Sequence, residues 1–257
     1  MQFGNYFGSF STMKTLIKIA NRLIRLVKLK FPGFYYSVLL QNFNVNRYTN
    51  SDDIISTEPK FFKIASKIMS EGRTMLKLDR LFTLYQIISQ AERNTIALEI
   101  GVYQGGTTKF LATLAAEKNI KIHAVDTFTG HKMAIPGVDG IHRNNLQFTN
   151  TSFNSVSKYL NSFNNVKIHQ CQIEDLDLSE IENVSFVHLD TDLKMPTRYA
   201  LEFIAPKLIR HGIIVVDDYG KQSTPAIKES VQEFLRLNLG AYFSLSLITT
   251  QFIIVKL

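Results

Sequence analysis

Cysteine is almost missing from this chain. Of its 257 residues only Cys171 carries a thiol, which excludes an intrachain disulfide framework. No Cys/His cluster stands at zinc-ligand spacing either, so a reducing, cytoplasmic setting is expected, with Cys171 as a packing residue. Acid is missing from the beginning of the chain, where the first carboxylate is Asp52. Before it come Lys14, Lys18, Arg22, Arg25, Lys28, Lys30 and Arg47, and these seven cations account for the whole net charge of +7, leaving the remainder neutral. Long apolar runs are missing as well. Charges interrupt every hydrophobic stretch well short of the roughly 20 residues a membrane-spanning helix needs, and they break any secretory core, so neither a transmembrane segment nor a cleaved signal is expected. The body has no basic patch or base-reading motif, which argues against nucleic acid as a partner.

What is present is enough apolar material for one sizeable core: 45% of residues are hydrophobic and 11% aromatic. In the basic arm, Met13, Leu16, Ile17, Ala20, Leu23, Ile24 and Val27 recur at helical spacing, with Lys14, Lys18, Arg25 and Lys28 on the other side. This pattern predicts a basic amphipathic helix. It suits peripheral contact with anionic lipid, and it equally suits packing on the core or on a second copy in a homodimer. Pro32 and Gly33 end the pattern, and the polar stretch QNFNVNRYTNSDD separates it from the main body of the chain. The expected organisation is an N-terminal extension over 1–57 and a main domain over 58–257.

Within that domain LKLDRLFTLYQIISQAER reads as a helix, and short apolar runs then alternate with amphipathic segments. The runs are TIALEI (95–100), IKIHAV (120–125), NVKIHQ (165–170), VSFVHL (184–189) and GIIVVD (212–217); helical patterns occupy 106–118, 152–163, 196–210 and 224–237. Strands alternating with helices imply right-handed crossovers and a mostly parallel sheet covered on both faces. The tail AYFSLSLITTQFIIVKL instead reads as an antiparallel hairpin. In such an α/β sheet, ligands bind beyond the carboxyl ends of the strands.

The residues at those ends are unusual. LEIGVYQGGTT places Gly101, Gly105 and Gly106 in a tight turn at a helix mouth, without the G-x-G-x-x-G spacing of dinucleotide folds. The second strand ends at Asp126, where an acid accepts bonds from ribose hydroxyls, a helix cap being the bland alternative. Gln172 and Ile173 follow the third strand and offer an edge and a face to a purine. The fourth ends in VHLDTD and the fifth in VVDDYG. One helical crossover separates Asp190 from Asp217 and Asp218, so these acids are expected to converge as an oxygen-ligand site for a hard cation such as Mg²⁺, which would relieve the repulsion of the adjacent pair.

Taken in order, LFTLYQIIS…LEIGVYQGGTTKFLA, AVDTFTG, NVKIHQCQIEDL, FVHLDTDLKMPTRYALEFIAPKL and HGIIVVDDYG…AIKESVQEF resemble the motifs of the TylF/MycF/NovP-like, macrocin-type O-methyltransferases. The resemblance covers roughly residues 76–240. It implies a Rossmann-like class I methyltransferase fold with sheet order 3-2-1-4-5-7-6, use of S-adenosylmethionine and a divalent cation, and transfer to a hydroxyl of a sugar or glycosylated product. Carried over by position, it implies that Glu99, Gly101, Tyr103, Gly105 and Thr107 line the methionine and ribose side, that Asp126 holds the ribose, and that Gln172 and Ile173 flank adenine. Asp190, Asp217 and Asp218 would hold the metal, with Asp190 also the catalytic base. The chain departs from the family at Lys194-Met195, His211-Gly212 and Cys171. The segment Thr129–Ser152, containing His131, His142, Arg143, Asn144 and Asn145, is expected to cover the pocket. Two rival readings compete: Asp190-Thr191-Asp192 as the D-x-D of a metal-dependent glycosyltransferase, and a non-catalytic protein of this fold at a membrane surface.

Overall fold

The structure is a computed structural model that describes residues 58–132, 134, 135, 137–140 and 147–257. The basic amphipathic segment expected over residues 13–28 lies outside the described residues, as do His142, Arg143, Asn144 and Asn145. The chain forms two compact units, Met1–Gly72 and Arg73–Leu257. In the first, helix α1 (Pro59–Ser70) opens on a proline, whose fixed φ suits a first helical turn, and buries Phe61, Ala65, Ile68 and Met69 along one stripe. No helix among the described residues is long and apolar enough to cross a membrane.

The second unit begins with α2 (Leu78–Gln90) and proceeds through β1 (Ile96–Ile100), α3 (Gly106–Ala115), β2 (Lys121–Asp126), α4 (Phe153–Leu160), β3 (Val166–Gln170), β4 (Val184–Leu189), α5 (Lys194–Phe203), β5 (Leu208–Val216), α6 (Pro225–Leu237), β6 (Tyr242–Ser246) and β7 (Phe252–Lys256). The strands form one sheet in the order β3-β2-β1-β4-β5-β7-β6. The first five run parallel, and β7 pairs antiparallel with both β5 and β6. The alternating pattern and the hairpin tail imply a mostly parallel sheet with an antiparallel end, and the strand order is the one the family resemblance implies. The central strand β4 is buried at every position, as a parallel strand covered on both faces must be, while the edge strands β3 and β6 are only partly buried. Leu98, Val187, Leu189 and Ile214 join Leu201 of α5 and Val231 of α6 in the main core. Each such side chain contributes about 2 kcal/mol of burial free energy.

The helical pattern over 196–210 extends too far. Pro206 has no N–H to continue the ladder, and the chain leaves α5 at Phe203, passes a single 3₁₀ turn and enters β5 at Leu208. The register between β4 and β5 then shifts between Val184 and Phe186, and His211 takes φ +64° at this irregularity. His211 is one of the departures from the macrocin-type pattern, which carries glycine there; the left-handed conformation explains that preference.

On strands β2 and β3, His123 Nδ1 and His169 Nε2 lie 3.0 Å apart with their rings stacked. Burial, and then the neighbouring charge of His169, lowers His123 to about 4. The folded state therefore resists a proton that the unfolded chain accepts near pH 6.5, so this contribution is intact above pH 6.5 and is lost as pH falls toward 4. Urea midpoints measured across that window should show the His123→Gln variant with a shallower loss of stability than the parent, by about 2 kcal/mol after allowance for solvent screening. Parallel curves would contradict this assignment.

Candidate active site

Three backbone hydrogen bonds align the strand ends on which the site is built. Gly101 N–H donates to Val125 O at 3.0 Å, Asp190 N–H to Ile100 O at 2.9 Å, and Asp217 N–H to Leu189 O at 2.9 Å. The ends of β2, β1, β4 and β5 thus stand side by side, as ligand binding at the carboxyl edge of a parallel sheet requires.

After β1 the chain makes a turn that glycine alone tolerates. Gly101 has φ +95°, and a Cβ there would collide with the backbone carbonyl of Asp190. Gly105, in the left-handed conformation, starts α3. Asp126 fastens this turn: Oδ2 accepts from the N–H groups of Val102 and Tyr103, both at 2.8 Å, and Oδ1 accepts from Phe128 N–H at 2.7 Å. One acceptor direction of Oδ1 is left for a ligand hydroxyl.

A cavity of about 890 Å³ opens beyond these strand ends. Its lining includes Gly101, Tyr103, Thr107, Asp126, Gln172 and Ile173, together with His131, Asp190, Asp192 and Asp218. The residues expected to hold a cofactor and those expected to hold a metal therefore share one space. Three expected residues do not line it. Glu99 is fully buried beneath the strand ends, where its carboxylate accepts from Thr108 Oγ1 and lies 3.2 Å from His188 Nδ1. Gly105 faces Val156 and Tyr159 of α4. Asp217 is 2% exposed and points into the protein beside His188.

The acids divide into two groups that share Asp190. Potential ligand atoms of His188, Asp190 and Asp217 lie within 4.8 Å of one another, and so do those of Asp190, Asp192 and Asp218. The structure thus separates the Asp217–Asp218 pair, and Asp192 joins the set that faces the cavity. Asp192 and Asp218 both have positive φ (59° and 60°), which Asp tolerates better than most residues and which directs their carboxylates inward. Burial, reinforced by the charge of Asp217, pushes Asp190 up to about 8; burial and Asp190 likewise raise Asp192. Asp218 is lowered, because bonds from Lys221, Asp192 and Arg80 outweigh its desolvation. Burial alone would lower His188, but the flanking Asp217 and Glu99 raise it to about 10, so it stands as a cation between them.

Sequence reasoning missed Arg80, His188 and Lys221 at this cluster. Arg80, on the first turn of α2, places Nη1 3.0 Å from Asp217 Oδ2 and 2.8 Å from Asp218 Oδ1. His188 was read as one residue of an apolar strand; a histidine two positions before a strand-end acid was the available signal. Nothing in the helical run containing Arg80 marks it. The donors also fit a hard divalent ion: Asp190, Asp192 and Asp218 offer oxygen only, burial and neighbouring carboxylates raise two of them, and buried Asp217 Oδ1 has no hydrogen-bond partner among the described residues.

The described part of the segment after β2 forms one wall. His131 Nε2 lies 3.5 Å from Asp192 Oδ2, Phe148 packs edge-on against Tyr103, and Tyr103 hydroxyl donates to Asn150 Oδ1 at 2.9 Å. Asp139 secures the segment to α5 by accepting from Lys194 N–H at 2.7 Å. Met195, beside that contact, lines the cavity.

Residues 98–219 match a family model described as a methyltransferase domain. A solved structure titled as the O-methyltransferase NovP aligns with TM-score 0.61 and 20% identity over 72% of this chain and 82% of that one. CalS11, a calicheamicin methyltransferase, aligns with TM-score 0.60 and 17% identity, covering 87% and 90%. The fold is the Rossmann-like methyltransferase fold. A further CalS11 structure, titled as a TDP-rhamnose 3'-O-methyltransferase, has TM-score 0.52 and 17% identity over 87% of this chain and 92% of that one. The search of curated proteins finds no match. Within this methyltransferase fold, the cavity lies at the strand ends where the glycine turn and the acids meet.

Proposed function

We propose that the chain is an S-adenosylmethionine-dependent O-methyltransferase of the macrocin type, assisted by a divalent cation and acting on a hydroxyl of a sugar or glycosylated product. The observation that carries this reading is the shared cavity: the Gly101–Gly105 turn fastened by Asp126, together with Asp190, Asp192 and Asp218. NovP and CalS11 are O-methyl and sugar-methyl transferring enzymes by their titles, which supports the substrate class.

Gly101, Tyr103, Thr107 and Asp126 would hold the methionine and ribose portions, with Gln172 and Ile173 beside adenine. Asp190, Asp192 and Asp218 would hold the cation. When bound, S-adenosylmethionine supplies an electrophilic methyl group and the divalent ion lowers the pKa of a substrate hydroxyl. The protein's own work is to orient the acceptor and to take its proton. Asp190, half-buried in the cavity lining, is placed to accept that proton, and the wall containing His131 and Phe148 excludes water.

The test is calorimetric titration with S-adenosylmethionine and, separately, with a nucleotide sugar, followed by methyl transfer to a glycan panel with Mg²⁺ and after chelation. S-adenosylmethionine should bind. Asp126→Ala should weaken it at least about tenfold, because two backbone donors of the glycine turn and the N–H of Phe128 after β2 lose their common acceptor. Binding of the nucleotide sugar alone would favour glycosyl transfer and overturn the reading, and undiminished transfer after chelation would remove the cation from it.

A further inference from the structure

We infer that Arg80 is the resident counter-ion of the acidic cluster and that it holds down the affinity of the cavity for a divalent cation. The inference rests on the reading that Asp190, Asp192 and Asp218 take such an ion. Arg80 Nη1 bridges Asp217 Oδ2 and Asp218 Oδ1 at 3.0 and 2.8 Å, so one guanidinium is shared by the neighbouring pair and offsets part of its charge. Its other nitrogens are held elsewhere. Nε donates to Thr249 O at 3.1 Å and Nη2 to Thr250 Oγ1, both in the turn between β6 and β7, and Gln251 Nε2 donates back to Arg80 O at 3.4 Å. A planar fork gripped at both ends keeps its positive charge beside the acids.

Asp218 is the shared element. Its Oδ1 already accepts from Arg80 and pairs with Lys221 Nζ, while the same carboxylate completes the oxygen set with Asp190 and Asp192. An incoming divalent ion must therefore share an acid with a fixed positive charge a few ångströms away, in a partly buried setting where such repulsion is weakly screened. The arrangement keeps the apo cluster charge-balanced and makes cation binding weaker and more readily reversed than three acids alone would give.

Mn²⁺ binding to the purified full chain, followed by electron paramagnetic resonance of the free ion and without substrate, tests this in the parent, Arg80→Met and Arg80→Lys. Arg80→Met removes the charge and should bind Mn²⁺ at least about tenfold more tightly. Arg80→Lys keeps the charge and should stay within about threefold of the parent. Arg80→Gln replaces Arg80→Met if that variant does not fold. Should the parent bind Mn²⁺ and the neutral variant bind it no more tightly, the inference fails while the cation site stands. A lysine variant that follows the neutral one would also overturn it, since loss of the hairpin anchor, common to both, would then be the cause. If neither the parent nor any variant binds Mn²⁺, the cation site itself fails and takes the inference with it.

Discussion

On the proposed reading, Asp190→Asn should lower methyl transfer by at least about 10³-fold and leave S-adenosylmethionine affinity within about threefold of the parent. Two roles are lost together. Asp190 belongs to both acid groups at the strand ends, so amidation weakens the oxygen set for a cation, and it removes the carboxylate placed to accept the hydroxyl proton. Proton transfer by a positioned group contributes about 10²–10⁴-fold, and weakened metal assistance adds to it. Cofactor affinity is spared because Asp126, not Asp190, fastens the glycine turn, and because the contact Asp190 makes with that turn is through its backbone. Steady-state kinetics with calorimetry decides the matter: a variant that retains a tenth of the parent rate would show that Asp190 is neither base nor ligand.

Gly101→Ala should unfold the protein about 10 °C lower and abolish measurable S-adenosylmethionine binding. At φ +95° an L residue is strained by about 1–2 kcal/mol, and the added methyl would also overlap the Asp190 carbonyl oxygen, which is backbone and cannot rotate away. Together these cost about 3 kcal/mol or more, and relief requires β1 and β4 to separate at the site. Gly240→Ala is the matched control, since Gly240 has φ +79° but nothing within 4 Å of its would-be Cβ. It should cost only the conformational part, about 1 kcal/mol. Equal melting shifts in the two variants would mean that close approach of the strands is not what the glycine at 101 provides.

Much of this architecture was legible because its signals are local. Apolar runs of strand length, helical patterns between them and a β-rich tail are each set by neighbours in the chain, and they mark the elements; the sheet order that the structure has is implied by the family resemblance, not by those patterns. The error at 196–210 was local too: Pro206 was present, but the apolar spacing continued past it into β5. The site was half legible. Strand ends fix where Gly101, Asp126, Asp190 and Asp218 must lie, whereas side-chain direction decides whether a residue faces the cavity. Glu99 and Asp217 turn inward to His188, and a run of letters carries no sign of that until the rotamers are known. Arg80 is a different kind of omission, because 137 residues separate it from Asp217 and its helical surroundings are ordinary.

The turn at Thr249 and Thr250 connects β6 and β7, far along the chain from every motif, yet it grips the guanidinium that balances the acids. Changes of length or rigidity in that hairpin would alter how firmly the crevice retains a metal without touching any group that meets the substrate. If Arg80 sets cation affinity as inferred, the periphery of the sheet becomes a tuning element, and homologues that differ there would differ in ion requirement while sharing the same chemistry at the centre.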